Sequence, residues 1–446
     1  MAPNYTNNVK MTDKQNAPAI GGVQLLLSFL MLIAGILTPP MTSKYFPEPD
    51  KFISKLQFGK DATILSKERN ADLSTNTAEE LEEEVVSMYV ECNVEHLSQF
   101  YHEDGDMSEG AHIFCFTNDT FKFFENYHKE SERMPLKGWK ELTTDTIEGY
   151  LGVDHTTSQP WAIYSTTGER LAGELDGNEE SIDLLKQHGM VILFEGGSWM
   201  WPGVRIGFKR QVDLVTGYPG NPETRLEIET LSMKPLVLSV KDFIAGKECD
   251  HIQNIAIPDM EYSEVSLMDK DKGRPASDFR TSQSAFVSAK DEIMHALEAR
   301  TASLTRIPKN HQEHTQVLRY GYTEKYSAHV DYFDPKLYQQ DQNTLHLIDD
   351  GRRNRLATVF WYLSDVEAGG HTVFPRFNGA PQPYDFNDCT KGLLVKPEKG
   401  KVIVFYSLLP DGKGDELSLH GACPVKNGIK WAANKWVWNA PMGYVH

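Results

Sequence analysis

Charge disappears from the chain between Ile20 and Thr38, leaving an apolar run long enough to cross a bilayer core of roughly 30 Å. Pro39 and Pro40 stop that helix. Farther on, Glu79 opens an acidic stretch in which Leu81, Val85, Val86 and Met88 recur near helical spacing, and a second helix is expected over 181–188. From Gly189 to Phe208 short apolar runs alternate with turn residues, the pattern of β-structure. That stretch holds Trp199 and Trp201 in a turn, where core packing is the common use of tryptophan and a peptide-binding surface is the alternative. Leu393 to Tyr406 reads as two apolar strands separated by a turn at Pro397 and Gly400.

Strand geometry gives the segment Tyr326-Ser-Ala-His329-Val-Asp331 a chemical meaning. Side chains at i and i+2 of an extended strand share a face, so the imidazole of His329 and the carboxylate of Asp331 can reach one ion. A third ligand is expected at His420, in Ser418-Leu-His420-Gly-Ala-Cys423. Two histidines and one carboxylate suit non-haem Fe(II), with the remaining coordination positions open for chemistry. Lys430 follows in an aromatic, strand-like context running to Trp436, where a cation could pair with a carboxylate on a small cosubstrate; a solvated turn lysine is the alternative. His311 and His314 lack the order of a zinc-protease helix and read as exposed polypeptide, and His346 reads as a loop residue in a polar insert. Phosphate-loop, Cys-x-x-Cys and Gly-x-Ser-x-Gly patterns are absent, which removes the usual support for nucleotide, dithiol-redox and serine-hydrolase readings.

From about Pro235 to Asn439 the chain resembles the catalytic domain of prolyl 4-hydroxylases, iron- and 2-oxoglutarate-dependent dioxygenases. The resemblance is carried by His329-x-Asp331, Arg355-Leu-Ala-Thr-Val-Phe-Trp-Tyr-Leu363, Glu367-Ala-Gly369-Gly370-His371-Thr372-Val-Phe-Pro375, His420-Gly-Ala-Cys423 and Gly428-x-Lys430-Trp431, in that order. It implies an α+β chain whose C-terminal part is a double-stranded β-helix, or jelly roll, with flanking helices, behind a mixed α/β N-terminal region. Carried over residue by residue, it makes His329, Asp331 and His420 the iron ligands. Lys430 becomes the partner of the distal carboxylate of 2-oxoglutarate, with Tyr320 and Thr372 as hydrogen-bond donors beside it. Tyr326, Arg355 and Trp436 match positions that line the peptide groove. His371 stands where relatives often carry Glu or Ala and is left out of the ligand set. A helix capped by Asp242 is expected at the start of the domain.

The implied reaction couples decarboxylation of 2-oxoglutarate, to succinate and CO₂, with O₂-dependent hydroxylation of a C–H bond, C4 of a peptidyl proline in relatives. Ascorbate is expected to restore iron oxidised in uncoupled cycles. The same metal and cosubstrate motifs would serve a lysyl hydroxylase, and an inactive protein that holds proline-rich peptides is the alternative from another class.

Lys10 and Lys14 precede the apolar run, which favours a cytoplasmic N-terminus, and the length of the run with no small-x-small cleavage site after it favours a signal anchor over a cleaved signal peptide. The expected organisation is a tail over 1–19, an anchor over 20–38, a linker over 39–75, a lumenal region of unknown role over 76–230 and the dioxygenase domain over 235–446. This places a single-pass type II protein in the endoplasmic reticulum or Golgi membrane. Cys389 and Cys423 match a pair that is disulfide-bonded in plant-type relatives, which requires an oxidising lumen. Cys92 and Cys115 are a second candidate pair, Cys249 is left over, and free buried thiols are the alternative for all of them. Asn118-Asp-Thr120 is a glycosylation sequon usable on the lumenal side.

The 446 residues carry a formal charge of -18 and a pI near 5.3, which argues against nucleic acid and anionic membrane surfaces as partners and favours basic or neutral peptide substrates.

Overall fold

The computed structural model describes residues 188–442 continuously and, ahead of them, 99–100, 110–117, 120–124, 143–151, 161–172 and 185. The apolar run 20–38, the acidic helix start at Glu79, Cys92 and Asn118 lie outside the described residues. Among the described residues no helix is long and apolar enough to cross a membrane. The chain divides into two compact units, Met1–Thr77 and Ala78–His446, and every described residue belongs to the second.

The N-terminal part of that unit holds a five-stranded antiparallel sheet made by β1 (Ala111–Thr117), β2 (Thr120–Phe124), β3 (Ala162–Ser165), β4 (Arg170–Ala172) and β5 (Met190–Phe194), in the order β2-β1-β5-β3-β4. Helix α1 covers Thr144–Leu151, and Leu185 and His188 are helical inside the expected 181–188 helix. β-structure over 189–208 is realised only as β5. Gly196, Gly197, Pro202 and Gly203 break the pattern after it, and 195–208 crosses in turns and irregular backbone. Trp199 and Trp201 are buried in this stretch, with ring centroids 5.3 Å apart at 85°. The Trp201 indole donates to the Leu304 carbonyl at 2.6 Å, and its backbone N–H donates to the Tyr406 hydroxyl at 2.9 Å. The tryptophans therefore join this sheet to the domain behind it and present no peptide-binding surface.

That domain is a sandwich of two sheets. The large one contains β6 (Lys209–Tyr218), β7 (Asn221–Met233), β8 (Leu236–Val240), β9 (Glu261–Tyr262), β10 (Gln283–Val287), β11 (Thr315–Tyr320), β13 (Arg355–Tyr362), β17 (Val402–Tyr406) and β20 (Lys430–Trp438). Their order is β6-β7-β8-β17-β13-β20-β11-β10-β9. The small one orders β12 (Tyr326–His329), β18 (His420–Ala422), β15 (Thr372–Phe374) and β16 (Leu393–Val395). A ribbon of β14 (Ala368–Gly369) and β19 (Val425–Asn427) closes one side. β6 and β7 pair along most of their length and continue into β8. The sheet thus begins at Lys209, ahead of the boundary expected at residue 235, because β6 and β7, which alternate buried with polar residues, pair with each other and with β8.

Period-two alternation distributes the central strands between two cores. On β13, Ala357, Val359 and Trp361 join the core beneath the helices, whereas Phe360 and Tyr362 join the core against the small sheet. Both faces are covered, which explains why the strand reads as one apolar run. Helix α2 spans Gly246–Ala256 and α3 spans Glu292–Thr305; Cys249, Ile252, Met294, Leu297 and Leu304 face the first core. Asp242 does not cap α2. It has a left-handed φ of 55° and is exposed, while the Glu248 carboxylate accepts the Ala245 N–H at 2.7 Å and binds Arg300 at 2.9 Å. Glu248 holds the helix start from inside its first turn.

Truncating Trp201 to alanine removes a buried indole shared by both sheets and should lower unfolding stability by about 3–5 kcal/mol. A urea transition shifted by less than about 1 kcal/mol would show that the N-terminal sheet is not part of the domain's core.

Candidate metal centre

Pairing of β12 with β18 sets His329 directly opposite His420, with imidazole centroids 4.5 Å apart. Asp331 lies just past the end of β12, in a bend, so the same-face expectation for an unbroken strand is met by a turn of the chain instead. His329 Nε2 is 3.4 Å from Asp331 Oδ1 and His420 Nε2 is 3.6 Å from Asp331 Oδ2. Ligand atoms of the three lie within 4.8 Å of one another, the one such group of histidine, cysteine or acidic residues found among the described residues.

Each ring is presented in the tautomer a metal needs. His329 Nδ1 is 3.0 Å from the Ser327 carbonyl and His420 Nδ1 is 2.9 Å from the Ser418 carbonyl. A carbonyl only accepts, so the proton sits on Nδ1 and the Nε2 lone pair faces the cluster. Burial brings the His420 pKa down to about 4, which keeps the imidazole neutral near pH 7. Burial alone would raise Asp331, but its surroundings, the Arg355 guanidinium among them, outweigh it and hold the carboxyl below the usual range.

Thr358 and Trp436, partners in the β13–β20 register, both donate to Asp331 Oδ2, at 2.6 and 3.0 Å. Arg355 lies with its guanidinium carbon 3.6 Å from the Trp436 ring centroid and clamps Glu313 with bonds of 2.6 and 3.0 Å. Glu313 also accepts the Trp438 indole N–H at 2.7 Å. Arg355 and Trp436, expected along a peptide groove, are thus committed to Asp331 and its surroundings. Tyr326 stacks on His329 at 3.8 Å, with the Arg280 guanidinium 4.5 Å from its ring.

His311 and His314 are half-buried rather than exposed, because the segment that carries Glu313 is folded inward; His311 Nδ1 contacts the Trp438 carbonyl at 3.0 Å. His346 is exposed on a short helix, α4 (Gln342–Leu347), not in a loop: Asp341 caps it by accepting from the Asn343 and Thr344 N–H groups. His371 stays outside the metal group.

Lys430 is fully buried and its ammonium has no hydrogen-bond partner. It sits 5.3 Å from the ring centroids of Tyr320 and Phe360 and 5.8 Å from that of Tyr362, and burial brings its pKa down to about 7. The solvated-turn alternative is excluded. The Tyr362 hydroxyl donates to Thr372 Oγ1 at 2.8 Å, which leaves the Thr372 proton free to be donated. Tyr362, Thr358 and Glu313 were missed as site residues. The first two share one face of β13, a signal present in the alternation of Thr358, Phe360 and Tyr362 once the inward face is known.

Cys389 and Cys423 form a disulfide with a Cα–Cα distance of 5.9 Å. The segment before Cys389 also binds the opposite metal strand: the Ala328 N–H donates to the Phe386 carbonyl and the Ser327 hydroxyl to Asn387 Oδ1, at 2.8 and 2.7 Å. One loop therefore braces the strands of both His329 and His420. Cys249 is free and buried.

A two-sheet sandwich that brings together two histidines on neighbouring strands and an aspartate just past the end of one defines the two-histidine, one-carboxylate class of metalloprotein. The model of the 2OG-Fe(II) oxygenase superfamily matches residues 315–438, which span all three ligands and Lys430. Two Arabidopsis thaliana proteins, Probable prolyl 4-hydroxylase 4 and Prolyl 4-hydroxylase 2, are each 39% identical over 220 residues, covering 47% of this chain and 70% of each relative. The chain belongs to the prolyl 4-hydroxylase family. A solved 2OG complex of viral collagen prolyl hydroxylase from Paramecium Bursaria Chlorella virus-1 is 26% identical, covering 45% of this chain and 95% of that one at a TM-score of 0.32.

Replacing both Cys389 and Cys423 with serine opens a loop of 34 residues and should cost about 3–4 kcal/mol of unfolding stability. Denaturant titration of the oxidised wild type against the double variant measures it, and equal midpoints would rule out a bracing role.

Proposed function

We propose that this chain hydroxylates proline in polypeptides, using Fe(II) and 2-oxoglutarate, and that it does so in the lumen of the secretory pathway. The observation that carries the reading is the buried, unpartnered ammonium of Lys430 in the same sandwich as the metal group. A buried cation calls for an anion, and a small dicarboxylate supplies one at its far end. The donor set suits iron: two neutral Nε2 lone pairs from His329 and His420, and one Asp331 oxygen not taken up by hydrogen bonds. Bound together, iron and 2-oxoglutarate supply the activation of O₂ and the oxidation of an unreactive C–H bond, with release of succinate and CO₂.

The residues of the chain bind and orient. Lys430 neutralises the distal carboxylate, Thr372 offers its hydroxyl proton to the same group, and Tyr320 presents its ring beside the ammonium. Trp436 and Thr358 hold Asp331 in place. Tyr326, stacked on His329, remains a groove candidate beside the proposed metal ligands. Ascorbate would act as the external reductant. The polypeptide substrate is favoured over nucleic acid by the net charge of -18. The Cys389–Cys423 disulfide supports an oxidising compartment, and the charge-free run from Ile20 to Thr38 supports a type II anchor in the endoplasmic reticulum or Golgi membrane.

Incubation with Fe(II), 2-oxoglutarate, ascorbate and a proline-rich peptide should yield succinate together with a peptide heavier by one oxygen on proline. The same mass on lysine would reassign the target residue. His420→Ala should abolish turnover, and retained turnover would refute the triad. Lys430→Met should raise the KM for 2-oxoglutarate by about 10²-fold, the equivalent of ~3 kcal/mol for a lost charge-assisted contact; an unchanged KM would place the cosubstrate elsewhere.

A further inference from the structure

We infer that Thr358 and Trp436 are positioning residues that cap Oδ2 of Asp331 and so restrict this carboxylate to holding iron through Oδ1 alone. The inference rests on the reading of His329, Asp331 and His420 as an iron site. The two donors stand directly opposite each other across the β13–β20 pairing, so a single register places both on the same oxygen. The Thr358 hydroxyl donates at 2.6 Å and the Trp436 indole N–H at 3.0 Å. An indole N–H only donates, and both side chains are buried, so water does not replace either contact.

The pose of Trp436 is itself held. The Arg355 guanidinium lies 3.6 Å over its ring, and Glu313 fixes that guanidinium through both carboxylate oxygens. Each oxygen faces an imidazole lone pair, Oδ1 that of His329 at 3.4 Å and Oδ2 that of His420 at 3.6 Å, because each ring carries its proton on Nδ1 toward a backbone carbonyl, but only Oδ2 also accepts two hydrogen bonds. A cation between Oδ1 and the His329 lone pair satisfies both, whereas a cation chelated by both oxygens competes with two hydrogen bonds at Oδ2. One-oxygen binding conserves a coordination position that a chelating carboxylate would occupy, and the reaction needs that position for the cosubstrate or O₂. Thr358 and Trp436 therefore protect open positions on the metal without touching it.

Co(II) titration of the full-length chain provides the test, since its visible d–d absorption loses intensity as coordination number rises. Thr358→Val should weaken Co(II) binding, measured by competition with a chelator, by about 10–100-fold and should lower the absorption per bound ion. Thr358→Ser keeps the hydroxyl and should match the wild type in both. Trp436→Phe should move both readouts in the same direction as Thr358→Val; should that variant fail to fold, the valine and serine pair decides alone. Wild-type affinity and spectrum in Thr358→Val would overturn the inference, as would a serine variant that departs as far as valine. A wild-type chain without a Co(II) band, or with one unchanged by His420→Ala, would overturn the iron-site reading and this inference with it.

Discussion

The pairing of β13 with β20 is the interaction on which the other features depend. These central strands are covered on both faces, so each residue belongs either to the site or to the core under the helices. The site face gathers Thr358, Phe360 and Tyr362 from one strand and Lys430 and Trp436 from the other. The opposite face carries Val359, Trp361 and Val437 into the main core, with Lys435 bound to Glu298 on α3. A slip of one residue in this pairing would exchange the two faces and dismantle the metal support and the Lys430 pocket together.

Buried charge is handled in two ways in this domain, and the contrast is informative. Arg300 is answered by Glu248, Lys435 by Glu298 and Arg355 by Glu313, each at 2.9 Å or less. These pairs join α2 to α3, α3 to β20 and the segment before β11 to β13, and removing one partner would strand the other in a low-dielectric interior. Lys430 is built into the same interior with aromatic rings around it and no carboxylate. With Arg300, Lys435 and Arg355 each answered by a carboxylate, Lys430 stands without one, which leaves a place for an external anion.

Metal ligands and a buried lysine are legible in one dimension because few residue types can do their work. His329, Asp331 and His420 announce themselves by chemistry, Lys430 by its discord with an apolar strand, and Cys389 with Cys423 through the family pattern. The supporting residues carry no such mark. Thr358 and Tyr362 look like ordinary strand residues, and Glu313 sits in a short polar stretch between two histidines. Arg355 and Trp436 are noticeable, but nothing local shows that they turn toward Asp331. The same limit left β6 and most of β7 in a region of unknown role, since their polar alternation shows no partner until they pair with each other and with β8.

Residue type and local backbone period therefore marked the candidate ligands and the two-faced strands, since side-chain chemistry and the pleat act within a few residues, and the family pattern supplied the class of chemistry. Which groups meet at Asp331, the commitment of Arg355 to Glu313, the docking of Trp201 against Leu304 and Tyr406, and the isolation of Lys430 from any carboxylate belong to the folded chain. They arise from registers and packing between segments far apart in sequence, where burial and hydrogen-bond satisfaction, rather than local propensity, select the neighbours.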